Sequence, residues 1–455
     1  MSSLNIALYT SQSSLLTTQR KMAVTSNNLA NVDKEGYHRQ IANSEMNHPI
    51  QLTYGQFGTG VHITGIVRAY DVALETGYQN AVSEEGNANI YYQQLYQLEG
   101  MLSPTGSGSP LTDSIRGFAD ALQSVANRPE ANDSRLDLIA KADNVAIQFN
   151  EIYSDITGLR DSIATVSGTG SLATKVDAFN NLATELNQVN DQISTAEARL
   201  FHPTNSNDLR DRRDQIMVEM SKLADVSFAE ETNNAYTVSL GGIKVVDGLT
   251  STVDTLVLDM SGVGGSPALT WASGPAATIS EGEITGLTDA WNYHNTKASE
   301  LLVFATNFQN SVNTQLTAGF KEDGTAGTAL FTMPFAGQMS VLISDPDDVA
   351  ASVSATESGN GENMLTVWNT LNTNGFLEGS EDFVNSISGD TANAYATAQT
   401  AIAGRTMFQE SIASLSAVSL DEEMIEMLSL QRVFQASSRV VSAVDRMLEQ
   451  AIAMV

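Results

Sequence analysis

At 455 residues the chain is too long for one ordinary hydrophobic core, because single cores stop growing at roughly 250 to 300 residues, and we expect two or three domains. The chain has 53 acidic and 23 basic residues, and its net charge of −30 disfavours nucleic acid and anionic lipid as partners. Cysteine is absent, which excludes disulfides, thiolate metal sites and thiol nucleophiles.

Targeting signals are not visible in the sequence. No apolar run approaches the roughly 18 to 20 residues of a membrane span, and the first residues, MSSLNIALYTSQSS, lack the basic start and apolar core of a secretory signal. We therefore expect no membrane partner, and another export route if the protein leaves the cytoplasm.

The first predicted element is a long helix with an apolar seam. The amides Asn27, Asn28 and Asn31, followed by Gly36, predict its end. A seam in alternating steps of four and three predicts coiled-coil packing against another helix. Its apolar or small members are Leu4, Leu8, Ser11, Leu15, Thr18, Met22, Thr25 and Leu29.

Helical spacing dominates from about Ala73 to Lys222, apart from a predicted loop at Ser103 to Pro110. From Asp225 to about Glu283, β-branched and polar residues alternate between Gly and Asn turns, which predicts a small antiparallel β module. Helical spacing then resumes, so the module is inserted in a helical domain. We expect deletion of Thr232 to Ile279, closed with a short Gly/Ser linker, to leave motility largely intact, because the flanking helical segments should pack with each other.

The last predicted element is a helix that Ser419 and Glu422 open as a capping box. Two apolar rows predict partners on two sides. The first row is Leu430, Val433, Ser437, Val440, Val444, Met447, Ala451 and Met454, and the second is Leu420, Met424, Met427, Phe434, Val441, Leu448 and Ile452. The two terminal helices are either an ordinary antiparallel pair within one globule or an assembly surface.

Candidate catalytic groups are few. The five histidines are scattered, without the i, i+4 spacing of a helical metal site, so we expect no metal and no cofactor. Glu281 and Glu283 are predicted to point from one strand into solvent, without the apolar pocket that raises the pKa of a general acid. We expect no enzyme.

The stretch SNNLANVDKEGYHRQ, at residues 26 to 40, resembles the signature A-N-x-N-T-x-G-Y of the axial proteins of the bacterial flagellum. Residues 33 to 35 depart from that signature, and the matching residues are Ala30, Asn31, Gly36 and Tyr37. GTGVHITGIVRAYDVALE, at residues 58 to 75, resembles a segment of the hook-associated FlgK family. A second stretch is similar to the family's N-D-L-x-D-x-R-D helix through Asn207, Asp208, Leu209, Asp211, Arg213 and Asp214.

The resemblance implies a mainly α-helical, elongated multidomain protein with a β insertion. Residues 1–50 and 405–455 would form the terminal coiled-coil domain, 51–224 and 284–404 a helical-bundle middle domain, and 225–283 a small antiparallel outer β domain. It also implies a structural subunit that joins hook to filament at the hook-filament junction, exported by the flagellar type III apparatus to the cell exterior.

The partners that the resemblance implies are other copies of the chain in a ring, hook protein, a second junction protein or flagellin-like subunit, and an export chaperone on the C-terminal helix. The alternatives are a hook or rod axial subunit and, from a different class, a secreted cell-wall glycan hydrolase. The residues predicted to carry assembly are Leu4, Leu8, Leu15, Met22, Leu29, Asn31, Gly36, Tyr37, Met424, Phe434, Val440, Val444, Met447 and Ala451.

Overall fold

A computed structural model describes residues 3–34, 36–52, 55–102, 109–198, 206–262, 265–357 and 359–453, and side chains throughout these ranges except at residues 3, 451 and 452. The predicted loop at Ser103 to Pro110 falls mostly outside them; its last residue, Pro110, begins a helix. The prediction of a mainly α-helical, elongated chain with a β insertion is confirmed.

The terminal helices pack against each other. Helix α1 is Ser3–Ala30 and helix α10 is Leu420–Ala453. Ser419 caps the start of α10 as predicted, since the Glu422 backbone N–H donates to Ser419 Oγ over 3.5 Å, which is one of the two bonds of a capping box. The Oγ atoms of Ser14 and Ser437 lie 3.0 Å apart, and Asn28 Nδ2 donates to Glu423 over 3.3 Å, so the two helices run antiparallel.

The body is a helical bundle. Its helices are α2 (Val72–Leu102), α3 (Pro110–Asn127), α4 (Asn132–Ile163), α5 (Ser171–Glu197), α6 (Asn207–Leu223), α7 (Glu283–Ala318), α8 (Glu362–Thr373) and α9 (Phe376–Ser416). The long helices α2 and α9 lie antiparallel, with Gly77 against Phe408 and an ion pair between Glu85 and Arg405. A Cβ at position 77 would overlap the Phe408 ring, so glycine permits this close approach.

Two hydrophobic cores fill the body. The first core lies between α2, α3, α4, α8, α9 and the C-terminal part of α7, around ring contacts such as Phe118 with Phe308 at 5.9 Å. Strands β11 (Phe331–Thr332) and β12 (Ser340–Val341) and a short 3-10 helix, Pro346–Asp348, border it.

The second core joins α5, α6 and the start of α7 to the predicted β module. One sheet has the order β5 (Ser227–Glu230), β6 (Tyr236–Leu240), β7 (Ile243–Asp247), β8 (Thr252–Val253), and a separate hairpin pairs β9 (Leu256–Asp259) with β10 (Ala268–Trp271). Tyr236, Val246 and Trp271 are buried together with residues of α5 and α6. The module therefore shares a core with the helices, which contradicts the expectation that it can be removed freely.

A β region that the sequence analysis did not predict lies between α1 and α2. Strand β1 (Gln40–Met46) pairs with β4 (Val61–Arg68), and the inner strands β2 (Ile50–Leu52) and β3 (Gly55–Phe57) form a second hairpin. Strands β1 and β4 lie against α1. The predicted domain boundary at 50/51 falls inside this region, that at 404/405 falls inside α9, and those at 224/225 and 283/284 lie near helix ends. The division into three domains stays a prediction.

His294 lies where the two cores meet on α7, between Trp291 of the second core and Ala298 of the first. It is fully buried, and neither ring nitrogen has a hydrogen-bond partner among the described residues. Burial lowers the pKa of His294 to about 4. Its contribution to stability is complete above the ordinary histidine pKa of 6.5 and is lost as pH falls from there through about 4.

We expect His294→Leu to raise the free energy of unfolding by about 1–3 kcal/mol at neutral pH, because an unpaired buried polar group is replaced by an apolar one. It should also flatten the decline in stability between pH 6.5 and 4. Urea unfolding at several pH values measures both effects, with the exposed His48→Leu as the control. If the unfolding free energy of His294→Leu still declined as steeply between pH 6.5 and 4, groups other than His294 would cause that decline.

Candidate assembly site at the terminal helices and their joint

One face of α10 packs on α1, and it combines members of both predicted rows. The exposed fraction of Val444 is 2%, so this side chain belongs to the contact between the two helices. The contact face follows steps of three and four through Met427, Leu430, Phe434, Ser437, Val441, Val444 and Leu448, all buried or half-buried.

The rest of the predicted rows faces outward. Val440 and Met447 are 45% and 47% exposed, and Val433 lies seven residues before Val440 and is also exposed. We call Val433, Val440 and Met447 the apolar column of α10. Met424 is exposed as well. The structure does not describe the side chain of Ala451 or any part of Met454. The two rows therefore form an inner face, which is buried against α1, and an outer face, which no part of the described chain covers.

The predicted residues of α1 are half-buried: Leu4, Leu8, Leu15, Met22 and Leu29. Its exposed apolar residues are Tyr9 and Leu16, seven residues apart, which border a groove of about 540 Å³ between α1 and the β1–β4 region. Helix α1 thus also presents an outer apolar face that no part of the described chain covers.

The turn after α1 is built from amides, as its sequence predicts. Asn31 Nδ2 donates to the Asn27 carbonyl oxygen over 2.9 Å, and Tyr37 OH donates to Asn28 Oδ1 over 2.8 Å. Gly36 has a φ of +74°, and a Cβ there would overlap the Gln215 side chain of α6. The signature residues therefore end the helix and seat the chain against the body.

Beside this turn lies a buried polar cluster that we call the joint. It links α1, the following turn, β1, β4, α2, α6 and α10. Its members are Asn28, Tyr37, His38, Arg39, Gln40, Arg68, Glu75, Asp211, Asp214 and Glu423.

On the α10 side of the joint, Glu423 is buried and accepts from Asn28 Nδ2 and from Arg39 Nε, the latter over 2.7 Å. Asn28 also exchanges two hydrogen bonds with the Gln40 backbone, at 2.9 and 3.0 Å. The Arg39 N–H donates to the carbonyl oxygen of Ser416, at the end of α9. These bonds fix the start of α10 relative to α1 and α9.

On the body side, Arg68 Nη1 donates to Asp211 over 2.7 Å and to Asp214 over 2.6 Å, and its guanidinium lies 4.7 Å from the Tyr70 ring centroid. His38, Asp211 and Asp214 are close enough together to share one cation. The Arg68 guanidinium already supplies positive charge between the two carboxylates, so the geometry is that of a buried ion-pair network.

His38 bridges two helices of the body. Its Nδ1 lies 2.9 Å from Asp211 Oδ1 and its Nε2 lies 3.2 Å from Glu75 Oε1, so both nitrogens must be protonated to donate to both carboxylates. Burial alone lowers the pKa of His38, but the hydrogen bonds to Asp211 and Glu75 outweigh it and raise the pKa to about 9.

We expect the joint to weaken in alkali. A histidine whose pKa rises from 6.5 to about 9 on folding stabilises fully below pH 6.5, and this contribution is lost as pH rises through about 9. The shift corresponds to about 3 kcal/mol of unfolding free energy. Urea unfolding from pH 6 to 10 should show this decline in the unchanged chain and a flatter profile in His38→Gln. His62→Gln, on an exposed histidine, is the control, and equal slopes in all three proteins would contradict the assignment.

The sequence predicts the turn but not the joint. Asp211 and Asp214 belong to the stretch that resembles the family's helix, and no local pattern marks Arg68, Glu75, Arg39 or Glu423 as their partners. The dense charges of NDLRDRRD on one helix were the available signal, because buried opposite charges require partners from other elements.

The carboxylates considered for hydrolysis are both engaged. Glu283 is the first residue of α7, not part of a strand as the sequence suggested, and it lies 2.6 Å from Lys175 Nζ and 3.5 Å from Lys222 Nζ. Glu281 accepts from Asn87 over 2.7 Å. Among the described residues, no helix combines the length and hydropathy that crossing a membrane requires.

A family model described as the flagellar hook-associated protein FlgK helical domain matches residues 95–331, more than half of the chain. The chain belongs to this family. Models of the flagella basal body rod protein and of the flagellar basal body rod FlgEFG protein C-terminal region match residues 8–38 and 410–454, the parts that contain α1 and α10.

Relatives within the family include flagellar hook-associated protein 1 of Bacillus subtilis, 26% identical, with 99% of this chain and 98% of that protein covered. The protein of the same name from Escherichia coli is 27% identical, with 76% of this chain and 63% of that protein covered. The flagellar hook junction protein FlgK of Burkholderia pseudomallei has a solved structure with a TM-score of 0.49 and 24% identity, over 56% of this chain and 46% of that one.

Proposed function

We propose that the chain is a structural subunit of the bacterial flagellum that joins hook to filament, and that it assembles into a ring through its terminal helices. The observation that carries the assembly mode is the outer apolar face of the α1–α10 pair. The apolar column of α10 and the exposed pair Tyr9 and Leu16 on α1 repeat at seven residues, the spacing at which helices pack side by side.

The charge distribution supports contact through these helices. Helix α1 has two basic and no acidic side chains, and α10 has three basic and six acidic ones, so the pair has a net charge of −1 in a chain of −30. Copies that meet through their bodies repel each other, whereas copies that meet through the helix pair do not. Because the chain belongs to a flagellar family, we place this contact between copies in the flagellum.

The joint gives the assembled helices a mechanical connection to the body. Its buried charges come from α2, α6, β4 and α10, and removing one partner would leave the others uncompensated. A load on the terminal helices is therefore passed to the body through directional ion pairs, which suits a subunit placed between two stiff polymers.

The proposed partners are other copies of the chain, hook protein, a second junction protein or flagellin-like subunit, and an export chaperone on α10. The proposed place of work is outside the cell, within the flagellum, and the proposed role is non-catalytic. The match of residues 95–331 to the hook-associated helical domain favours the junction over a hook or rod subunit. The ion-paired state of Glu283 speaks against the glycan hydrolase.

Electron microscopy of cells that lack the protein tests the proposal. We expect hooks without filaments and filament protein released into the medium, with recovery when the gene is restored. Filaments of normal number on cells that lack the protein would overturn the junction role. Clearing of a cell-wall suspension by the purified chain would favour the hydrolase instead.

A further inference from the structure

Basic side chains without an acidic partner are concentrated on the terminal helices. In the body, arginines and lysines generally lie within 4 Å of a carboxylate, as Arg116, Arg210 and Lys321 do. Of the described basic residues, those with no ion pair to a described carboxylate are Arg20, Lys21, Lys34, Lys141, Arg432, Arg439 and Arg446. Five of these seven lie on α1 and α10, in a chain with more than twice as many acids as bases.

Three of these cations form a column on α10. Arg432, Arg439 and Arg446 are spaced by seven residues, so they share one face of the helix, and all three are exposed. Each directly precedes a residue of the apolar column in the sequence. We call them the arginine column. An apolar row with an adjacent row of unpaired guanidinium groups has the composition of a binding surface for an acidic helix.

The first turns of α10 are acidic, opposite in charge to the arginine column. Asp421, Glu422 and Glu426 are exposed there; Glu426 lies 3.7 Å from Arg39, and the other two have no ion pair within the described chain. Helix α10 is therefore acidic near the joint, and beyond it the three arginines outnumber the two acidic residues, Asp445 and Glu449. The centres of the two regions are about 16 residues apart, or about 24 Å along the axis, which exceeds the Debye length of about 8 Å at physiological salt. The two regions of one copy cannot neutralise each other.

We propose that the arginine column of one copy pairs with the acidic first turns of α10 in a second copy, which lies parallel to the first and is displaced by about 24 Å along the helix axis. This inference rests on the proposed function. A displaced parallel contact is heterologous: each pair of copies leaves one arginine column and one set of acidic first turns unoccupied. Further copies can therefore be added at both ends. An antiparallel contact of the same charges would satisfy both regions in a dimer and stop growth.

Charge reversal tests the pairing in cells that lack the native chain. The triple variant Arg432→Glu, Arg439→Glu, Arg446→Glu should reduce filaments per cell at least tenfold, as should Asp421→Lys with Glu422→Lys. Combining all five substitutions should restore at least half of the normal number. Lys141→Glu, which reverses an unpaired cation of the body, is the control and should change nothing.

The outcomes separate this inference from the proposed function. If Met447→Asp abolishes filaments but the arginine triple variant does not, the inference is overturned and the junction role stands. Loss in both charge variants without recovery in the combination also overturns it, because the acidic partner then lies elsewhere. Each variant is measured in the culture medium as well, so that loss of export is recognised.

A covalent test does not depend on export efficiency. Because the chain has no cysteine, Asp421→Cys and Arg439→Cys introduce the sole thiols, and mild oxidation of isolated hook-filament structures reports which surfaces meet. The double variant should give a ladder of covalent multimers, and each single variant should remain monomeric. Dimers without higher multimers in the double variant would indicate the antiparallel contact, and no cross-link at all would equally contradict the proposal.

Discussion

Met447→Asp should abolish filament attachment while the monomer keeps its stability. Met447 belongs to the apolar column of α10 and is 47% exposed, so in the free chain a carboxylate there remains in water. In the proposed ring the same carboxylate is buried against a neighbour, where an unpaired charge costs several kcal/mol in every contact. The measurement is a count of filaments per cell, together with thermal unfolding of the purified variant.

Two matched variants make the result interpretable. Glu449→Asp keeps the charge on the exposed side of the same helix and should behave as the unchanged chain. Val444→Asp places a charge in the contact between α1 and α10, where the exposed fraction is 2%, and should weaken that pair within the monomer itself. Normal filaments with Met447→Asp would remove the apolar column from the assembly surface.

Deletion of Thr232 to Ile279, closed with a short Gly/Ser linker, should prevent stable folding of the α5–α6 half of the body. The deleted segment supplies buried residues of the second core, including Tyr236, Val246 and Trp271. Each large apolar side chain removed from a core costs about 2–5 kcal/mol, and the total stability of a domain is only about 5–15 kcal/mol.

The deletion also removes two partners of a buried arginine. Arg213 of α6 donates to the Asn234 carbonyl oxygen over 2.7 Å, and its guanidinium lies 3.3 Å from the Tyr236 ring centroid. Without them this buried cation retains Glu230, whose Oε1 lies 3.7 Å from Arg213 Nη2, as its ion pair within the described chain. Circular dichroism of the deleted chain should show less helix and a smaller melting transition, because only the first core remains to melt cooperatively. Trp271→Ala should lower stability by about 3–5 kcal/mol, and Val257→Ala, on the exposed side of β9, by less than 1 kcal/mol. An unchanged helix content and an unchanged melting amplitude in the deleted chain would show that the module is independent.

The sequence predicted most of the helical fold because its signals are local. The four-three spacing of α1, the cap at Ser419 and the change from helical to alternating pattern near Ala224 each lie within a short window, and each appears in the structure. The β1–β4 region was missed because β1 does not alternate apolar and polar residues, and because its pairing with β4, such as Gln40 with Arg68, joins residues more than twenty positions apart.

Which apolar residues of α10 are exposed was predicted only in part, for a physical reason. A helix with two apolar rows does not reveal which row its own chain will cover, since that depends on how α1 approaches. In the structure, the face of α10 that packs on α1 contains members of both rows. Val444 is buried in this contact and Val440 is exposed to solvent, although both belong to one predicted row. The joint could not be predicted because its charges come from elements far apart in sequence, such as His38 and Asp211.

The pairing of α1 with α10 imposes an order in time on the protein. Bonds such as that between Asn28 and Glu423 close a loop of almost four hundred residues, so the helix pair is among the last contacts the chain can form. While the chain emerges from a ribosome or a narrow conduit, α1 cannot yet pack on α10, and the composite face proposed to bind other copies does not yet exist. In the proposed assembly, polymerisation therefore waits until the final helix has arrived, and an incomplete chain lacks the complete surface with which it could block a growing structure.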